Sequence, residues 1–302
     1  MSTPTIDIDT STPEFQSALN LIRFTHNSLF LTGRAGTGKS TFLRYVREHT
    51  KKKCVVLAPT GIAAINADGA TLHSFFKLPF HPLAPDDARY AGQRIREFLK
   101  YSKEHIKLLQ SIELIIIDEI SMVRADIIDF IDRILRTYTR NHRTPFGGKQ
   151  MLLIGDIFQL EPVVKADERD ILSRFYPSPF FFDAHVFKQM ELVSIELTKV
   201  YRQQDQQFIN VLDRIRNNAF TTNDLALLNS RVSKQKGANH PDNQDFHDWL
   251  DNPTVPTHLG ITLCTRRDDV DYINDTELGR LDGDAITLRG TIRGDFPQTS
   301  LP

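Results

Sequence analysis

A lysine followed by a hydroxyl residue at the end of a glycine-rich octapeptide is a combination that binds polyphosphate. Residues 33–40 supply it as Gly33-Arg34-Ala35-Gly36-Thr37-Gly38-Lys39-Ser40. The glycines let the backbone curl until successive N–H groups face phosphate oxygens, Lys39 supplies charge for the β- and γ-phosphates, and Ser40 offers a hydroxyl to Mg²⁺. Gly33, Ala35, Gly36, Thr37, Gly38 and Thr41 complete the expected nucleotide contacts. Such a match arises by chance in on the order of one chain in a hundred of this length. The competing reading, an ordinary glycine-rich turn, is disfavoured by the strand pattern before the loop and the helical pattern after it.

Residues 114–119 run Leu114-Ile115-Ile116-Ile117-Asp118-Glu119. Four apolar residues followed by two carboxylates predict a buried strand that delivers both acids to the carboxyl edge of a parallel sheet, where ligands bind. Asp118 would hold Mg²⁺ through water, and Glu119 would orient and deprotonate an attacking water, which makes the chemistry hydrolytic. A solvated acidic strand end is the bland alternative. Gly155-Asp156-Ile157-Phe158-Gln159-Leu160 follows another apolar run, so the neutral amide of Gln159 reaches the same edge.

These residues need a sheet to align them. Continuous apolar runs at 29–31, 54–58, 114–117, 151–154, 195–197 and 261–264 predict parallel strands covered on both faces. The intervening helix at about 124–140 carries Ile127, Ile128, Ile131, Ile134, Leu135 and Tyr138 on one stripe. Alternating strands and helices give an α/β fold with a central parallel sheet. Pro79, Pro82 and Pro85 interrupt the pattern at 77–87, before a charged helical stretch at about 88–110, and the whole reads as an insertion at the sheet's edge. The polar stretch 232–260, with Pro241, Pro253 and Pro256, places a domain boundary near residue 255.

Composition narrows the function classes. The 302 residues carry 37 basic and 38 acidic side chains, a net charge of -1, so bulk cationic binding to nucleic acid is excluded and any such site is local. Two cysteines, Cys54 and Cys264, provide no disulfide framework. His240, Asp242, Asp245, His247 and Asp248 fit no established zinc spacing, and Lys51, Lys52 and Lys53 read as a solvated helix end. With Asp7 and Asp9 near the start, no signal-peptide pattern and no run near ~18 apolar residues, an intracellular protein away from membranes is expected.

The order of these blocks resembles the PIF-type branch of superfamily 1B DNA helicases, relatives of RecD. The likeness extends beyond the nucleotide loop. Ala58-Pro59-Thr60-Gly61-Ile62-Ala63-Ala64 and Thr71-Leu72-His73-Ser74-Phe75-Phe76 resemble the family's two single-strand DNA motifs. Ile120-Ser121-Met122-Val123-Arg124, continuing to Pro145-Phe146-Gly147-Gly148, resembles its signature segment, and 197–203 resembles its fourth motif. The resemblance implies a RecA-like nucleotide-hydrolysing domain over 1–255, a small wedge insertion at about 77–110, and the beginning of a second RecA-like domain over 256–302. It also implies ATP and Mg²⁺ as cofactors, Gln16 as an adenine reader, and Arg202 as a γ-phosphate-sensing cation. Pro59, Thr60, Gly61, His73, Phe75 and Phe76 become candidate DNA contacts, although adjacent phenylalanines are more often core than stacking platform. The implied activity is 5′ to 3′ movement by a monomer on single-stranded and forked DNA, with roles in repair, recombination, replication or telomere maintenance. This chain alone is expected to bind Mg-ATP weakly and unwind poorly. The alternative is a nucleotide-dependent DNA-binding module that does not unwind; a P-loop kinase or GTPase is disfavoured by the paired acids.

Overall fold

A computed structural model of the chain describes residues 10–92, 94–201, 205–231, 262–283, 286, 290 and 291. They fall into two units, residues 1–225 and 226–302.

The first unit is organised by six parallel strands: β1 Ser28–Gly33, β2 Cys54–Ala58, β3 Ala70–Thr71, β4 Leu114–Ile117, β5 Gln150–Ile154 and β6 Leu192–Leu197. Their spatial order is β3-β2-β4-β5-β1-β6. β4 and β5 are buried at every position. Their alternate residues enter opposite cores, Ile115, Ile117, Met151 and Leu153 on one face and Leu114, Ile116, Leu152 and Ile154 on the other. That two-sided cover is why the strands read as unbroken apolar runs. The five expected strands of this unit are present; β3 is an addition, its two residues being too short for any periodicity to reveal.

Helices α1 Pro13–Phe24 and α2 Lys39–His49 cover one face through Phe15, Leu19, Ile22, Phe42, Leu43 and Val46. After the short helices α3 Gly61–Asn66 and α4 Leu72–Phe76 come α5 Arg94–Leu99, α6 Lys103–Ser111 and α7 Ala125–Thr139, then α8 Ala166–Leu172, α9 Gln206–Arg216 and α10 Thr222–Asn229. α7 lies in the second core, and all six residues of its expected stripe are buried.

The charged stretch at 88–110 is not one helix. A short 3-10 turn, Ala88–Tyr90, precedes α5, and the chain breaks at Lys100, whose φ of 43° is left-handed, before Ser102 caps α6. Leu78, Leu83, Tyr90, Ile95, Leu99, Tyr101 and Leu109 join the core that contains α7. The segment is therefore packed along α7 as well as following the edge strand β3. The Leu83 N–H donates to Asp126 at 2.9 Å, and Arg133 donates to the Pro85 carbonyl at 2.7 Å.

In the second unit, residues 262–264 form no strand, and the helix Arg267–Gly279 follows them. The strand expected at 261–264 is thus not formed over its described part. Residue 255, Arg202, and the His and Asp residues between 240 and 248 lie outside the described residues. No described helix is long and apolar enough to cross a membrane.

Candidate functional site

The phosphate loop leaves β1 and enters α2. Gly33, Gly36 and Gly38 have φ of 147°, 80° and 94°, and a Cβ on Gly33 would come within 2.5 Å of the Leu197 carbonyl oxygen. Glycine is required there both by conformation and by close approach to β6. Thr37 is buried and donates its hydroxyl to the Arg34 carbonyl at 2.9 Å, and Lys39 Nζ donates to the carbonyls of Gly33 at 2.6 Å and Arg34 at 3.0 Å. Ala35 and Ser40 are exposed, with Thr41 half-buried beside them. Burial pushes the Lys39 ammonium below its ordinary value, and the charges of Asp156, Glu119 and Asp118 act against that push. Those three acids therefore share its surroundings.

The sheet order explains the convergence. β5 lies between β1 and β4, so the turn after β5 stands between the phosphate loop and the acids that end β4. Burial raises the Asp118 carboxyl to about 6, and neighbouring Glu119 adds to this, while the Glu119 N–H, donating at 3.0 Å, and Lys39 oppose it. Glu119 itself sits at φ 51°, ψ 44°, a left-handed conformation that a non-glycine residue adopts at a cost; such strain is concentrated at functional sites. Gly155 permits the approach: a Cβ there would lie 2.9 Å from Ile120 Cγ2.

The turn after β5 is held by two residues that sequence reading passed over. Asp156 is only 2% exposed, and its carboxylate accepts from the Phe158 N–H at 3.1 Å and from Gln159 Nε2 at 3.2 Å. Arg216 of α9 pairs with it, Nη2 to Oδ1 at 3.0 Å. Burial opposes ionisation of Asp156, but Arg216 and these N–H donors outweigh it and hold the carboxyl below its ordinary range. A 60-residue separation hides that pair from any local motif.

Beside Thr37, a small cleft is lined by Thr12, Glu14, Phe15, Leu197, Thr198 and Tyr201, and the Tyr201 N–H donates to the Gly36 carbonyl at 2.8 Å. Gln16 lies on the same helix as Glu14 and Phe15 but is exposed, its amide donating to the Thr10 carbonyl at 2.8 Å.

The two candidate DNA motifs meet in a second cleft of about 330 Å³, whose lining includes Pro59, Thr60, His73, Phe80, Arg124 and Lys165. Thr60 is exposed and caps α3, accepting from the Ala63 N–H at 3.2 Å. Gly61 faces open space, leaving room for a close ligand. Burial and nearby Arg124 lower the His73 pKa, so its ring is neutral at pH 7. That ring stacks on Phe80, centroids 5.0 Å apart and planes within 7°, and Phe80 is 86% exposed. Phe76 is fully buried and Phe75 packs partly against the same core. The expectation that Phe76 contacts DNA is corrected by that burial, which leaves its ring no face for a base; the open aromatic here is Phe80.

Comparison with known proteins agrees with this geometry. The family model described as PIF1-like helicase matches residues 14–250. The ATP-dependent DNA helicase PIF1 of Saccharomyces cerevisiae is 37% identical over 209 residues, which cover 67% of this chain and 22% of that protein. Pif1 helicase from Bacteroides, solved with ADP-AlF3 and single-stranded DNA, is 42% identical with a TM-score of 0.79, covering 98% of this chain and 62% of that one. A structure of two coordinating Pif1 helicases at forked double-stranded DNA is 43% identical with a TM-score of 0.77, covering 96% and 63%. The chain thus spans about a fifth of the yeast relative's length. A matched stretch that takes in the phosphate loop, the paired acids and the Gln159 turn shows that the chain belongs to the PIF1-like helicase family.

Proposed function

We propose that the chain is the nucleotide-hydrolysing part of an ATP-dependent DNA helicase that moves 5′ to 3′ along single-stranded DNA. The observation that carries this is the meeting of Lys39, Asp118, Glu119 and the Gln159 turn at the carboxyl ends of three adjacent strands, β1, β5 and β4. Lys39 would neutralise the β- and γ-phosphates, Glu119 would take the proton of the attacking water, and Gln159 would contact the γ-phosphate or that water. Arg202 would supply a second cation to the γ-phosphate, and Gln16 would read adenine.

The donor set fits Mg²⁺. Asp118 is a carboxylate held back from ionising by burial and by Glu119, so a divalent cation would relieve an unfavourable local charge balance. Ser40, the second residue of α2 after Lys39, would add its hydroxyl. When bound, the metal would polarise the phosphate oxygens.

DNA would run through the cleft shared by Pro59, Thr60 and His73, with residues 77–110 as the wedge and residues 256–302 beginning a second motor lobe. Residues from one chain build both clefts, which supports a monomer as the working unit, and forked DNA is the natural substrate of a wedge. ATP and DNA as substrates support an intracellular site of action.

The test is steady-state ATP hydrolysis with and without a single-stranded oligonucleotide, with Glu119→Gln as the control. DNA-stimulated hydrolysis that disappears in the variant supports a motor. Hydrolysis indifferent to DNA overturns the motor reading, and nucleotide-dependent DNA binding without hydrolysis supports a non-unwinding module instead.

A further inference from the structure

α9 reaches the phosphate edge twice from one face. Asp213 Oδ1 lies 3.2 Å from Arg34 Nη1, inside the phosphate loop, and Arg216, three residues on, lies 3.0 Å from Asp156. Helical residues three apart are neighbours on one surface, so a single short stretch of α9 holds both loops that flank Lys39.

The second contact is the more demanding. A buried carboxylate is costly unless it is paired and its remaining lone pairs are satisfied. Arg216 meets Asp156 with Nη2 at 3.0 Å and with Nε at 3.3 Å from each oxygen, and its guanidinium carbon lies 4.3 Å from the Phe158 ring centroid. The same carboxylate accepts from Gln159 Nε2. The guanidinium therefore fixes the acid, the acid fixes the amide, and the Phe158 ring packs against the flat face of the fork. Arg214, on another side of α9, is tied to Asp224 of α10, with Nε donating at 2.8 Å. α9 is thus braced from behind where it presses on the site.

Resting on the hydrolytic reading above, we propose that Arg216 is a positioning residue for ATP hydrolysis. It locks Asp156, whose charge acts on Lys39, and through it the Gln159 amide, while Asp213 ties the same helix to the phosphate loop. The pairing makes α9 the element that feels both sides of the phosphate site at once. Arg216 touches no substrate in this role; it acts through Asp156.

Two substitutions separate positioning from simple folding. Arg216→Lys keeps a cation for the buried carboxylate but loses the two-pronged fork and the flat face against Phe158. Arg216→Ala loses both. With saturating single-stranded oligonucleotide, kcat and KM for ATP are measured, together with the Kd of a fluorescent ADP analogue and thermal melting. Misplacing a reacting group by about 1 Å costs on the order of 100-fold, so kcat is expected to fall about 10-fold for Arg216→Lys and about 100-fold for Arg216→Ala. The Kd is expected to stay within about threefold, and the melting temperature of Arg216→Lys to stay unchanged. Adding Gln159→Ala to Arg216→Ala is expected to cost little more, because both act through one chain of contacts. Wild-type kcat in a folded variant overturns the proposal, as does a parallel loss of kcat, analogue binding and melting temperature. A wild-type protein that binds no analogue and hydrolyses no ATP overturns the hydrolytic reading itself, whereas an active wild type with unaffected variants overturns this inference alone.

Discussion

Asp118 is a carboxyl that folding makes harder to ionise, from an ordinary 3.8 up to about 6. A group raised in the folded state contributes stability below its unfolded value and loses it as pH rises through the folded one. The ionised acid therefore strains the nucleotide-free protein above pH 6. Asp118→Asn keeps an acceptor for the Glu119 N–H and removes the charge, so it is expected to stabilise the fold by about 2 kcal/mol at pH 8 and by almost nothing at pH 4. Thermal melts across that range check this, with nucleotide hydrolysis expected to fall in the same variant. The phenylalanines separate in a similar way. Phe76→Ala opens a hole in the core and is expected to cost about 3–5 kcal/mol of stability with denaturant unfolding as the readout. Phe80 is 86% exposed, so Phe80→Ala is expected to leave stability alone and weaken single-stranded DNA binding by about 1–3 kcal/mol, the value of one stacked base. Sequence offered both Phe75 and Phe76 because residue type alone does not say which ring faces solvent; only the packing against α7 and its neighbours does.

α7 is the element whose legibility and consequences are clearest. Its stripe of isoleucines is a local periodicity, so helix and buried face were readable from residues 124–140 alone. What periodicity could not show is the charge network at its N-terminus. Arg124 pairs with Asp126 at 2.9 Å and with Glu168 of α8 at 3.0 Å, and Asp126 also accepts the Leu83 N–H. One buried carboxylate thus pins α7 to the proline-rich segment, while Arg124, its partner, spans to α8 and lines the cleft with His73. Removing Asp126 leaves Arg124 with Glu168 as its one remaining carboxylate and the buried Leu83 N–H without its acceptor, so Asp126→Ala is expected to cost about 3–5 kcal/mol. Hydrogen exchange at residues 78–92 is expected to accelerate more than exchange in β4 or β5. The break at Lys100 was equally invisible, because a charged helical stretch carries the same pattern whether it is one helix or two.

For the molecule as a whole, a net charge of -1 means that the DNA affinity proposed for it would come from a local surface and not from the overall field. Single-strand affinity is therefore expected to fall with salt on a shallow slope, about 0.7 log units per log unit of salt for each phosphate contacted. A titration from 50 to 200 mM salt, compared with Lys165→Ala, measures whether the cleft that contains His73 supplies one of those contacts; the variant is expected to lower the slope by about one contact.

The sequence by itself determined five strands of the first unit, the helices α2 and α7, the phosphate loop and the paired acids, because each is encoded within a few residues by burial periodicity or by local backbone chemistry. It also carried the family likeness, which is a matter of ordered short blocks. Tertiary structure alone decided that β5 runs between β1 and β4, that Arg216 neutralises Asp156, and that Phe80 rather than Phe76 presents its ring. Each of these depends on contacts between residues distant in the chain, whose energy comes from burying one side chain against another and leaves no trace in the spacing of either.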